Sequence, residues 1–207
     1  MFTYCPDIKR FFDFVLSVIA LSLLSPFFIL ICIVIPLDSK GFPFFLQKRI
    51  GREMNPFTLI KFRSMIYASG KKIKQFDPGD DRRVTRIGRF LRITKLDELP
   101  ELINILLGQM SIVGPRPEVP KYVDMYYKEF SEILINRPGL TDFASIKFRN
   151  EAALLAKQPD PDKYYCNTIL KEKLELARQY SNSVSFKTDL NIIVNTFVVL
   201  FMGSYRK

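Results

Sequence analysis

The side chains best placed to do chemistry are the adjacent carboxylates Asp97 and Glu98, within Leu96-Asp97-Glu98-Leu99-Pro100-Glu101-Leu102. Neighbours in sequence do not face the same way along a regular element, so the pair suits two different tasks better than one shared proton. One carboxylate could attack phosphorus while the other holds a divalent cation, since Mg2+ favours a carboxylate combined with substrate phosphate oxygens. Taken alone, an Asp-Glu pair at a helix start reads first as a cap and a complement to the helix dipole. Its surroundings point further. Arg83, Arg86, Arg89, Arg92 and Lys95 recur every third residue before it, and Arg116 follows, held between Pro115 and Pro117. A guanidinium fixed in this way matches a phosphate in bidentate fashion. These cations are expected to lower the pKa of Asp97 and keep it ionised.

Composition narrows the chemistry. The 207 residues carry a formal charge of +10 and no histidine, which removes Ser-His and Cys-His nucleophiles, His-ligated zinc and histidine bases. Such a basic balance fits a phosphorylated ligand, an anionic membrane surface or nucleic acid. Neither a Gly-rich Walker loop nor a Rossmann glycine fingerprint is present, so kinase-like and NAD-dependent readings lack their motifs. Cys5, Cys32 and Cys166 are scattered, which indicates no disulfide framework or metal cluster and fits a reducing, cytoplasmic setting. The length allows one compact domain with an appended membrane element, divided as 1–40 and 41–207.

Several elements must position these groups. Residues 14–37 carry no charge, and a helix there would be about 36 Å long, enough to cross a bilayer core. Ser25-Pro26 near its middle predicts a kink, because proline lacks the N–H that a helix needs. Cations flank the run on both sides (Lys9 and Arg10 before it, Lys40, Lys48, Arg49 and Arg52 after it), so the charges set no clear orientation. The residues alone leave a kinked spanning helix and a re-entrant helix-break-helix both open. Phe42–Ile50 and Phe57–Met65 read as a β-hairpin carrying Lys61, and Asp77-Pro78-Gly79-Asp80-Asp81 reads as an exposed turn. Arg82–Leu96 has the spacing of a cationic amphipathic helix whose charged face is either solvated or rests on anionic headgroups. A helix follows from Pro100 with Leu99, Leu102, Ile103, Leu106 and Leu107 on its apolar face, closed by Gly108. Further helices are predicted over Tyr122–Asn136, Lys163–Tyr180 and Asp189–Gly203, with a turn at Arg137–Thr141. The last helix is too short to span, and suits either a core or an interfacial position.

Three stretches carry a specific resemblance: Lys61-Phe62-Arg63-Ser64-Met65, the run from Gly88-Arg89-Phe90-Leu91-Arg92 to Leu102, and Gly108 through Met110-Ser111-Ile112-Val113-Gly114-Pro115-Arg116-Pro117-Glu118. Together they resemble the bacterial sugar transferases, the monotopic phosphoglycosyl transferases in their minimal short form. The resemblance implies a mostly helical α+β fold with a re-entrant segment broken at Ser25 and Pro26, interfacial amphipathic helices and a small cytoplasmic domain with a β-hairpin. It implies transfer of a sugar 1-phosphate from a UDP-sugar to a polyprenyl phosphate, undecaprenyl phosphate, with release of UMP and the start of lipid-linked glycan assembly. Asp97 would be the nucleophile of a covalent aspartyl-phosphosugar intermediate and Glu98 a Mg2+ ligand. Lys61, Arg92 and Arg149 would lie near phosphate groups, and Arg116 in the nucleotide pocket. The expected location is the cytoplasmic face of a bacterial inner membrane, among membrane lipids, with a homo-oligomer left open and no nucleic-acid partner. Asp142-Phe143-Ala144-Ser145 departs from the family pattern, so no sugar preference carries over. The alternatives are a magnesium-dependent membrane phosphohydrolase and a basic membrane-tethered binding module.

Overall fold

The computed structural model describes residues 5–66 and 83–202, so the turn expected at residues 77–81 lies outside the described residues. The chain begins with α1 (Pro6–Asp38), a helix of 33 residues. It is long and apolar enough to cross a membrane, with a mean hydropathy of 2.9 over its most apolar stretch, only 6% of which is buried. The expected break at Ser25-Pro26 is not an interruption of the helix, which runs through both residues. Local chemistry accounts for the difference. Pro26 has no N–H for the carbonyl of Ser22, and the Ser25 hydroxyl donates to that carbonyl at 2.8 Å instead.

Both ends of α1 are fastened to the body of the protein. Near its start, Lys9 pairs with Asp189 at 2.5 Å, Arg10 donates to the carbonyls of Ile105 and Leu106, and Asp13 accepts from the Ser111 hydroxyl and the Ile112 N–H. At the other end, Asp38 accepts from the Ile87 N–H, while Arg63 donates to the carbonyls of Ser39 and Lys40.

The hairpin forms as predicted, with β1 (Phe44–Ile50) antiparallel to β2 (Pro56–Phe62) and Phe45 opposite Lys61. Next come α2 (Arg86–Thr94), a 3-10 turn at Leu96–Glu98 and α3 (Glu101–Leu106). The buried face of α3 differs from the expected one: Glu101, Leu102, Asn104 and Ile105 are buried, whereas Leu107 is exposed. Asn104 explains the shift. Its side chain accepts from the Ile60 N–H and donates to the Thr58 carbonyl, so a polar residue substitutes for a strand along β2.

Residues Gly139–Thr141, expected as a turn, form β4, which is parallel to β3 (Ser111–Val113). Gly114 and Gly139 make this pairing feasible, since a Cβ on Gly139 would lie 2.1 Å from the Gly114 nitrogen. The predicted helix over 122–136 is divided at Tyr126 into α4 (Pro120–Met125) and α5 (Tyr127–Ile133). Two short helices follow that the sequence did not reveal, α6 (Phe143–Lys147) and α7 (Glu151–Leu155). The predicted helix at 163–180 comprises α8 (Pro161–Tyr164), a π-helical turn at Tyr165–Ile169 and α9 (Leu170–Asn182), and α10 (Phe186–Met202) ends the described chain.

One core gathers α4, α5 and α9 around Tyr122, Phe130, Tyr165 and Leu170. Another packs the hairpin, α2 and α3 against one side of α1 through Phe62, Leu91, Ile105 and Met110. The opposite side of α1 is left apolar and exposed at Leu23, Phe27, Leu30 and Ile33.

Candidate active site

The acid pair lies at the junction of α2 and α3. Lys95 ends α2 in the left-handed region, with φ of 60°, and its carbonyl accepts from the Glu98 N–H at 3.2 Å. That reversal sets both acids directly after the cationic helix. Upstream, α2 rests on the Ser64 backbone at Gly88, where a Cβ would meet the Ser64 carbonyl oxygen at 2.0 Å. The close approach lets Arg92 Nε donate to Ser64 Oγ at 2.9 Å.

Glu98 is the hub of the cluster. Its Oε1 pairs with Lys61 Nζ at 2.8 Å, from β2, and with Arg116 Nη2, from the loop after β3. Lys61 also pairs with Glu101 Oε1 at 3.1 Å, although the angle leaves that oxygen short of a hydrogen bond. Asp97 Oδ1, by contrast, is buried with no hydrogen-bond partner.

Electrostatics separates the two acids. Burial would raise the Glu98 pKa, but Arg116 and Lys61 bring it well below the usual carboxylate range. For Asp97 the outcome is opposite, and the expectation of a lowered pKa is corrected: burial and then the Glu98 charge raise it, outweighing Lys61, Lys95 and Arg92. Burial also raises the Glu101 carboxyl, to about 6, against the pull of Lys61. Arg116 is held well above its ordinary value, chiefly by Glu98.

The structure thus brings Asp97, Glu98, Lys61 and Arg116 together, with Arg92 contributing its field at Asp97. Arg149 is not joined to them by any contact among the described residues; its Nη2 donates to the Leu200 carbonyl at 3.2 Å, and its Nη1 is buried without a partner. Glu101 is a site residue that the sequence reading quoted without a role. It shares Lys61 with Glu98, and its spacing of three from Glu98 was the available signal, since i and i+3 are neighbours on a helical surface. Asp142 and Ser145, where the sequence departs from the family pattern, touch Arg116: Asp142 Oδ2 accepts the Arg116 N–H at 3.2 Å, and Ser145 Oγ lies 3.4 Å from Nη1.

The sequence profile described as "Bacterial sugar transferase" matches residues 5–203, nearly the whole chain. The chain belongs to the bacterial sugar transferase family. Among relatives, the UDP-glucose:undecaprenyl-phosphate glucose-1-phosphate transferase of Escherichia coli (strain K12) is 34% identical over 97% of this chain and 41% of its own length. The UDP-N-acetylgalactosamine-undecaprenyl-phosphate N-acetylgalactosaminephosphotransferase of Aeromonas hydrophila is 40% identical over 67% of this chain and 34% of its own length. The chain therefore spans well under half of these two sugar transferases. The exopolysaccharide production protein ExoY of Sinorhizobium fredii (strain NBRC 101917 / NGR234) is 33% identical over 95% of this chain and 88% of its own length.

Proposed function

We propose that this bacterial sugar transferase moves a sugar 1-phosphate from a UDP-sugar to undecaprenyl phosphate, releasing UMP and starting a lipid-linked glycan. The observation that carries the reading is the Asp97 carboxylate, whose Oδ1 is buried without a partner beside a Glu98 already paired with two cations. A buried acceptor with nothing to accept from is costly in a resting protein, and a reacting phosphorus would give it a partner. The names of the relatives supply the substrate class.

In the first step, an Asp97 oxygen attacks the β-phosphorus of the UDP-sugar. The bond from that phosphorus to the bridging oxygen breaks, its electron pair leaves with UMP, and the phosphosugar remains on the carboxylate. In the second step, a phosphate oxygen of the lipid attacks the same phosphorus and the carboxylate departs, so Asp97 is regenerated. Burial, which raises the Asp97 pKa, also strips water from the attacking oxygen. Lys61 and Arg116 sit where a diphosphate lying over Glu98 would meet them, and Arg92 adds positive field at Asp97. Arg149, with its unpartnered buried Nη1, is kept as a ligand for a substrate phosphate.

Mg2+ fits this donor set. Among the described residues no three His, Cys, Asp or Glu side chains converge as a metal cage, yet Mg2+ binds through one or two carboxylates with substrate phosphates and waters completing its shell. Both cations at Glu98 use Oε1, and Glu98 would be the carboxylate that holds the metal. Bound there, the ion would neutralise charge on the phosphate oxygens.

The same reading sets residues 1–40 in the cytoplasmic leaflet as a re-entrant segment and residues 41–207 on the cytoplasmic face of the inner membrane. Its support is that Lys9, Arg10 and Asp13 at one end of α1, and Asp38 at the other, bind the same body. A helix with its ends on opposite sides of a bilayer would not allow this. Exposed Phe186, Leu190, Val194, Phe197 and Phe201 on α10 and Phe90 and Ile93 on α2 extend the apolar surface.

The test is incubation of the full chain with a panel of UDP-sugars, with and without undecaprenyl phosphate. Repeated turnover that requires the lipid, and, when the lipid is withheld, a phosphosugar adduct on the intact protein with at most one UMP released per enzyme, are expected. Asp97→Asn is expected to reduce turnover by about three orders of magnitude or more; normal turnover in that variant would remove the nucleophile. UMP and free sugar phosphate released without acceptor would instead mark a hydrolase.

A further inference from the structure

Five residues, Gly114 to Glu118, carry Arg116 to the acid pair, and two of them are prolines with no N–H to donate. The loop has little capacity to hold itself by a backbone ladder. Gly114 N–H reaches the Thr141 carbonyl at 3.1 Å and Arg116 N–H reaches Asp142, while the Pro115 carbonyl accepts from Gly139 at 2.9 Å. Beyond Arg116, one backbone bond and the Arg49 side chain do the fixing. Arg49 Nη1, from β1, donates to the Pro117 carbonyl at 2.9 Å and to Glu118 Oε2 at 3.3 Å, and the Ile50 N–H donates to the Glu118 carbonyl at 3.0 Å.

Glu118 itself is 6% exposed, an unusual place for a carboxylate that no substrate reaches directly in the proposed reaction. Its Oε1 accepts from the Tyr165 hydroxyl at 2.5 Å and lies 3.8 Å from Lys173 Nζ. Lys173 is in turn tied to the Tyr165 oxygen at 3.2 Å and to Glu151 Oε2 at 2.6 Å. Arg49, Lys173 and Glu118 side chains are 12%, 12% and 8% exposed. Buried ion pairs of this kind contribute little net stability, because desolvation offsets their attraction, but they do fix geometry. A small cleft lined by Arg116, Glu118, Asp142, Lys173, Phe130 and Leu174 lies between this network and the arginine.

We propose that Glu118, gripped by Arg49, Tyr165 and Lys173, is a positioning residue that sets the reach of Arg116 toward the Asp97–Glu98 pair. The proposal rests on the reading of Arg116 as a ligand for the UDP-sugar phosphates. Glu118 holds the far side of the Pro-Arg-Pro loop as Asp142 holds its near side, so loosening either lets the guanidinium wander. Because Glu118 acts through Arg116, its contribution should vanish once the guanidinium is gone.

The experiment is a double-mutant cycle on the full chain in detergent, reading KM and kcat for UMP release together with the melting temperature. Glu118→Gln is expected to raise KM for the UDP-sugar about tenfold in the wild-type background and to have almost no effect in an Arg116→Ala background, as coupled neighbours do. Tyr165→Phe, which removes one donor and keeps the ring, should give the same pattern at smaller size. Equal effects of Glu118→Gln in both backgrounds, or an unchanged KM in the wild-type background, would overturn the positioning role. If Glu118→Gln melts too low to assay, the Tyr165→Phe cycle decides in the same way. A wild-type KM for Arg116→Ala would overturn the reading of Arg116, and the positioning role with it, and so separates that failure from a failure of Glu118 alone.

Discussion

Glu101 is the carboxylate with the least favourable surroundings in the cluster, at 1% exposure, with Lys61 shared between it and Glu98. Its pKa, raised by burial from 4.5 to about 6, ties it to folding. The folded chain holds that proton more tightly than the unfolded chain, so stability falls as pH rises from about 4.5 through about 6. Glu101→Gln keeps the volume and removes the ionisation, so the melting temperature of the variant relative to wild type is expected to increase across that window. The total change across the window corresponds to about 2 kcal/mol; a difference that stays flat from pH 4.5 to 7 would contradict the assignment. At this scale the sequence named most of the groups that meet, but it added Arg149, which does not join them, and it left their balance hidden. The motifs identified Asp97, Glu98, Lys61 and Arg116, whereas the upward shift of Asp97 depends on how deeply the junction is buried, which no spacing of charges reveals. Asp142 was visible only as a departure from a pattern, and its bond to the Arg116 N–H is a long-range contact.

Secondary structure positions the site through close backbone approaches. Gly88 presses α2 onto Ser64, the residue that receives Arg92, two residues beyond the end of the strand that carries Lys61. Gly88→Ala would drive a Cβ to 2.0 Å from the Ser64 carbonyl oxygen, so α2 must lift. The expected cost is about 1 to 3 kcal/mol, as for overpacking elsewhere. Turnover should fall with it, because Arg92 and the acid pair ride on the same helix end. A Gly88→Ala protein with wild-type melting temperature and kcat would show that the approach is slack. The hairpin and α2 were legible because alternation and helical spacing extend over seven to nine residues. The strand β4 was not, because three residues that begin with the Gly of a turn-like Pro138-Gly139 carry too short a pattern, and its partner is β3, far away in sequence. Tyr126, with φ −129° and ψ 44°, divides α4 from α5 without a proline or glycine to announce it.

Over the whole molecule, α1 and the body form one structure. The apolar side of α1 and the exposed face of α10 give the protein a greasy surface, while the polar clasps at both ends of α1 hold the segment to the domain. Single cysteines at Ile8 and Lys40, in a chain freed of Cys5, Cys32 and Cys166, are expected to react with a membrane-impermeant thiol reagent from the cytoplasmic side alike. Labelling from opposite sides would establish a spanning helix and sink the re-entrant topology. The sequence supplied the length and the proline of this segment but left two topologies open, because hydropathy measures affinity for lipid and says nothing of what grips the ends. The Ser25 hydroxyl at the Ser22 carbonyl shows how such a segment carries a proline without losing its helix.

The clasp between Lys9 and Asp189 joins residues 180 positions apart. At about 5 to 20 residues per second, the ribosome takes about 10 to 40 s to supply the second after the first. For most of that interval the most apolar part of the chain is already made and lacks one of the partners that hold its N-terminal end. Newly made α1 must therefore spend that time in a membrane or under a chaperone, held first through Arg10 and Asp13 by residues 105–112 and clasped at Lys9 only once α10 has been made.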